Sequence, residues 1–204
     1  MRFYERLYNR RMINELRNEL NTDVVLFSAD GSAFYGHLQG LDDCHAAILT
    51  PATCAESCNV ETVSSGGCFL TSDFTRICLN NIVAKSSGIC GDPLAESDDL
   101  TRDLEIPDEL DRDGGYIYRQ LQRLIGDRTI ITLIGGFAFE GIISAVCDDI
   151  LILTVDTVCL PSCCDDFDEN KIRSVIINMN AITSFGSSNC CKKACTAASC
   201  CKSR

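Results

Sequence analysis

The sequence predicts a mainly β chain of two tandem five-stranded small barrels, each preceded by an N-terminal α-helix, with a flexible cysteine-rich tail. Three observations carry that expectation. An internal repeat relates the two halves, apolar residues alternate at strand period between glycine turns, and five cysteines crowd into the twelve positions from Cys190 to Cys201.

The repeat emerges when Leu20 to Thr50 is set beside Leu124 to Thr154 with two one-residue gaps. Each copy opens on a helix: Tyr8, Met12, Leu16 and Leu20 recur at helical spacing in the first, and Ile117, Leu121, Leu124 and Ile125 in the second. Each helix is expected to cover one barrel face. Strand alternation follows, Val24 with Leu26 and Ile130 with Thr132. The glycine turns Asp30-Gly31 and Gly135-Gly136 then suit a tight hairpin.

The second strand holds Gly36 or Gly141, where a glycine favours a bend or bulge. An acidic turn, Asp42-Asp43 or Asp148-Asp149, leads to a third strand ending at Leu49 or Leu153. After a longer cysteine-bearing loop each copy is expected to close with a strand pair. These are Arg76 to Leu79 with Asn81 to Ala84, and Val175 to Ile177 with Ala181 to Phe185.

Four segments result: a first repeat with its helix at 1–91, an acidic linker at 92–113, a second repeat at 114–186 and a basic cysteine-rich tail at 187–204. The linker carries ten acids, two arginines and two prolines, the composition of a solvated connection.

On these residues the chain resembles the Sm/Lsm superfamily, and more closely the Sm-like repeats of spore-coat proteins from endospore-forming bacteria. In the second copy the likeness rests on Leu124-Ile125-Gly126, Gly135-Gly136, Gly141-Ile142-Ile143, Val146, Asp148-Asp149, Leu151, Leu153 and Ala181 to Phe185. In the first it rests on Asp23-Val24, Asp30-Gly31, Gly36-His37-Leu38, Leu41, Asp42-Asp43, Ile48-Leu49 and Ile82-Val83-Ala84. The resemblance implies two tandem Sm-like five-stranded barrels, and assembly by edge pairing into a ring or filament in which one chain fills two positions.

The resemblance also raises RNA, against which several residues weigh. RNA-binding relatives offer an aromatic residue or His beside Asn before the third strand, and Arg or Lys beside Gly in the final hairpin. Here those turns read Asp42-Asp43-Cys44-His45 and Cys147-Asp148-Asp149, and the hairpins Asn80-Asn81 and Asn178-Met179-Asn180. Carboxylates facing a pore oppose a phosphate chain, and the net charge of −11 points the same way, so no nucleic-acid partner is expected. His45 alone is placed to stack a base.

Fifteen cysteines are a heavy load for a reducing cytosol, and their odd number leaves at least one thiol without an intrachain disulfide partner. The expected cross-linking residues are Cys44 and Cys147 at the acidic turns, Cys54, Cys58, Cys159, Cys163 and Cys164 in the loops, and Cys190, Cys191, Cys195, Cys200 and Cys201 in the tail. Lys192 and Lys193 beside the tail thiols favour the reactive thiolate. Cys78, by contrast, is expected to fill a small apolar site in a strand. Zinc remains an alternative, although no Cys-x-x-Cys knuckle pair is present. No metal or other cofactor is expected.

Catalysis has little to stand on. Only two histidines exist, His37 and His45, neither in a nucleophile context, and Gly135-Gly136 lacks the Lys-Ser/Thr of a phosphate loop. No enzyme is expected. No apolar run approaches the roughly 18 residues of a bilayer span, so no membrane partner is expected either.

The N-terminus lacks the apolar core of a secretory signal, which sets the expected place of synthesis in the mother-cell cytoplasm. The function expected is a self-assembling structural protein of a spore coat, exosporium or spore appendage. It would form rings or filaments locked by intermolecular disulfides, with itself and other coat proteins as partners. An intracellular RNA-binding ring and a zinc-binding scaffold are the alternatives.

Overall fold

A computed structural model of the protein describes residues 7–42, 45–53, 59–66, 68–87, 116–147, 149–161 and 172–187. The acidic linker and nearly all of the cysteine-rich tail lie outside them.

Helix α1 (Arg10–Asn18) starts where Asn9, in extended backbone, accepts the Met12 N–H on its side-chain oxygen at 2.9 Å. That satisfies one donor orphaned by the first turn. Met12, Ile13 and Leu16 turn inward, whereas Tyr8 and Leu20 are exposed. The helical spacing overreached at both ends, because Tyr8 precedes the cap and Leu20 lies beyond the last turn.

Seven strands follow: β1 (Asp23–Ser28), β2 (Ala33–Asp42), β3 (Ala46–Thr50), β4 (Val60–Val63), β5 (Phe69–Ser72), β6 (Thr75–Cys78) and β7 (Ile82–Ser87). The second repeat gives α2 (Tyr116–Arg123), β8 (Arg128–Leu133), β9 (Ala138–Cys147), β10 (Ile150–Cys159), β11 (Ser174–Asn178) and β12 (Ile182–Ser187). All join one antiparallel sheet. Its order is β12-β8-β9-β10-β11-β7-β1-β2-β3-β6, with β4 and β5 set off beside β2.

Each repeat thus lays its last strand beside its first and its penultimate strand beside its third. This corrects the expected closing strand pair. A 3-10 turn, Leu79–Asn81 or Met179–Ala181, carries the chain from one margin of the unit to the other. Consequently β6 pairs with β3, and β7 pairs with β1.

The region expected to be a loop after the third strand is strand-bearing as well. In the first repeat it forms the β4–β5 hairpin, whose Val63 pairs with Ala33 of β2. In the second, β10 simply continues, and Val158 pairs with Phe139. Both solutions supply the front half of the second strand with a partner.

The hairpin turns fall where the sequence put them. Gly31, Gly135 and Gly136 have φ of 86°, 94° and 85°, in the left-handed region that glycine enters without penalty. Gly141 answers to a close approach as well as a bulge, since a Cβ there would overlap the Thr154 carbonyl.

Strand β1 departs from simple alternation, being buried at all six positions. Its two faces serve two cores. Val24 and Leu26 pack with Ile13, Leu16, Leu38 and Leu49 of their own repeat. Val25 and Phe27 enter a larger cluster that also holds Phe137, Phe139, Leu153 and Ile177 of the second repeat. Phe27 meets Phe137 and Phe139 edge-on, with centroids 5.2 and 5.1 Å away, the favourable aromatic geometry.

Candidate functional site

Among the described residues, the seam between the repeats gathers strand pairing, buried side-chain hydrogen bonds and an ion pair. Its backbone is the pairing of β11 with β7, Ile176 opposite Lys85 and Ile177 opposite Ala84. Side chains reinforce the ladder on both sides. Ser86 donates its hydroxyl to the Ser174 carbonyl at 2.7 Å. Asn9 donates to the Asp149 carbonyl at 2.9 Å and to the Asn178 side-chain oxygen at 3.0 Å. Asn178, fully buried, returns a bond to the Leu7 carbonyl at 2.8 Å.

Lys85 is only 2% exposed, which is costly for an ammonium without a partner. Glu19 at the end of α1 supplies one, with Nζ donating to Oε1 at 2.6 Å. Ser87 and Thr22 also donate to that carboxylate, at 2.9 and 3.0 Å. Burial pushes the Glu19 carboxyl up, but the Lys85 charge and these hydrogen bonds outweigh it and hold it below its ordinary value.

A second buried acid sits at the start of β1. Burial raises the Asp23 carboxyl, yet the Thr53 N–H at 3.1 Å, the Thr53 hydroxyl at 2.8 Å and His37 Nδ1 at 2.9 Å bring it below its usual value. The nearby Tyr35 phenol is pushed up to about 12 by burial, then by Asp23 and Glu61. This group ties residues 51–53 to the sheet.

The outer ends of the sheet carry the counterparts of the seam strands. The matching 3-10 turns put Ala84 and Lys85 of β7 in register with Ser184 and Phe185 of β12. They likewise match Ile176 and Ile177 of β11 to Arg76 and Ile77 of β6. Strand β12 pairs only with β8, and β6 only with β3, among the described residues. The two strand types joined inside the chain therefore each recur once with an open edge, at opposite ends.

Of the expected cross-linking residues, Cys147 and Cys159 end β9 and β10, half-buried. Cys44, Cys54, Cys58, Cys163, Cys164, Cys190, Cys191, Cys195, Cys200 and Cys201 lie outside the described residues. Two further thiols stand outside that expected set. Cys68 and Cys78 are free and exposed, and Cys78 stands on the outer strand β6. The expectation of a buried Cys78 is corrected: Ile77 faces inward, so its neighbour must face out. The phase of Arg76-Ile77-Cys78 held that signal.

Among the described residues no three His, Cys, Asp or Glu side chains converge as metal ligands, and no helix is long and apolar enough to cross a membrane.

The fold defines a mainly β protein, a large antiparallel sheet with two helices, in which two like units share one sheet. No protein-family model and no curated protein matches the chain. Four solved chains do. One is an Sm protein of Pyrococcus abyssii in complex with a uridine heptamer, 21% identical, with a TM-score of 0.29, covering 37% of this chain and 94% of that one. The expected absence of a nucleic-acid partner is therefore withdrawn as an exclusion, since that Sm protein itself holds a uridine heptamer. The exclusion rested on net charge and on acidic turns, and a whole-chain charge does not set the potential at a local site.

Proposed function

We propose that this protein is a self-assembling structural protein that joins head to tail through its sheet edges, β12 of one chain adding to β6 of the next. The observation that carries this reading is the β7–β11 seam, an in-chain example of the same strand pairing. Repeating it between chains sets Phe185 opposite Arg76 and Ser184 opposite Ile77. Such a contact joins unlike surfaces, so it generates a closed ring or an open filament. Open sheet edges left unprotected invite this kind of addition.

Disulfides are the second part of the proposal. The odd cysteine number, the free thiols of Cys68 and Cys78 and the position of Cys78 on the joining strand all support cross-links between chains formed after assembly. Two tandem Sm-like barrels are the architecture proposed for the repeats, and a spore coat, exosporium or appendage the setting. The sequence resemblance supports both.

The test is sedimentation velocity on the full chain with reductant present, followed by electrophoresis with and without it. Assembly that persists in reductant, and that Ser184→Glu abolishes, is the expected result. Ser184 is exposed here, whereas its counterpart Ala84 is fully buried at the seam. A wild-type chain that stays monomeric at every concentration sinks the reading.

A nucleic-acid partner is the second reading, favoured by His45. It is exposed on the turn before β3, and its carbonyl accepts the Leu79 N–H at 2.9 Å, which fixes it beside the 3-10 turn. Salt-dependent binding of a uridine oligomer that His45→Ala weakens would support it.

A further inference from the structure

Resting on the assembly reading, we infer that α2 is the docking element of the joint between chains, laying Ile117 on the outer face of β3 and β6 of a second copy. The argument starts from the correspondence of the two helices. Asn21 and Gly126 follow them with positive φ of 65° and 86°. Each donates its N–H at 2.8 Å to a carbonyl of its second strand, Leu38 or Ile143. Leu16 and Leu121, five residues before them, are both fully buried. The same count places Ile117 where α1 has Met12.

Met12 is 2% exposed because it leaves its own repeat and packs on Ile150, Ile152 and Ile176 of the other. Among the described residues no other repeat lies against Ile117, and it is 44% exposed. The receiving face shows the same contrast. Ala46 and Ile48 pair with Cys78 and Arg76 as Ile150 and Ile152 pair with Asn178 and Ile176. Yet Ile150, Ile152 and Ile176 are buried, whereas Ala46 and Ile48 are half-buried and Arg76 is exposed.

One end of the chain thus presents an uncovered apolar knob and the other an uncovered face, and inside the chain the same two features are already engaged. A second copy is the occupant that fits both at once. Continuing β12 along β6 carries α2 to the place over β3 and β6 that α1 holds over β10 and β11. Arg76 in place of Ile176, and Ala46 in place of Ile150, make this joint less apolar than the seam. Chains therefore separate before they unfold.

The test is sedimentation velocity of the full-length protein in reductant, with circular dichroism to confirm the fold. Ile117→Lys sets an ammonium beside Arg76 and is expected to weaken self-association at least about tenfold, the scale of one buried aliphatic side chain, with the melting transition unchanged. Adding Arg76→Glu to that variant is expected to restore association to within about threefold of wild type, because the new charges attract. Undiminished association of Ile117→Lys, in a protein whose assembly Ser184→Glu abolishes, overturns the helix docking and leaves the strand joint standing. A wild-type chain that never associates overturns both.

Discussion

The two repeats share a strand order but not an environment. In the first, β1 has cover on both faces and its last strand has partners on both edges. In the second, Ile130 and Thr132 occupy the places of Val25 and Phe27, and both are left exposed or half-exposed. The difference teaches that burial here is decided by whether a neighbouring repeat lies alongside. It follows that paired substitutions at corresponding positions should have unequal effects.

The widest gap is expected at Phe27. Phe27→Ala removes a ring packed edge-on against Phe137 and Phe139, and should cost about 3–5 kcal/mol in urea unfolding of the reduced protein. Thr132→Ala, at the matching site, should cost about 1 kcal/mol or less, because its hydroxyl partners Thr183 and Ser184 are exposed. Equal costs would mean that the seam adds nothing to the first repeat.

A smaller gap is expected between Asn178 and Cys78, which occupy matching positions. Asn178→Ala removes the side-chain donor to the buried Leu7 carbonyl and one of the two acceptors of the Asn9 amide, and should cost about 2–3 kcal/mol. Cys78→Ala should change stability by less than about 0.5 kcal/mol, measured in the same way.

Of the three seam positions, the ion pair should have the smallest effect. Lys85→Met should cost about 1–2 kcal/mol, discounted because Glu19 keeps Ser87 and Thr22 and is partly solvated. Its signature is in the pH dependence. Glu19 and Asp23 titrate below their ordinary values of 4.5 and 3.8 in the folded chain. The stability they supply is present above those values and is lost as pH falls through the lower, folded ones. Melting temperature should therefore hold from neutral pH to about 5 and drop below about 4, and Lys85→Met should flatten that drop. An unchanged acid profile in the variant would show that Lys85 does not hold Glu19 ionised.

Much of the fold was legible because it depends on local chemistry. Gly31 and Gly135-Gly136 mark the hairpins through backbone freedom, and the alternation at Ile130 to Thr132 marks a strand by period alone. What depends on distant partners was not legible. Nothing near Met12 or Ile117 reveals that one is covered and the other bare, since the covering surface belongs to the other repeat. The β4–β5 hairpin was missed for a different reason: polar and cysteine residues around Ser64 to Cys68 resemble a loop, and β5 is exposed along nearly its whole length. As for the candidate site, edge pairing came only through the family resemblance. Cys78 was misplaced because its residue type was weighed above its phase.

The in-chain joint between β7 and β11 also constrains parity. Under the proposed assembly, units would enter a closed circle two at a time, so a circle built from these chains would have even membership. The two termini of the sheet are unlike, so in the proposed polymer every member would point the same way, and blocking one terminus would halt growth there alone.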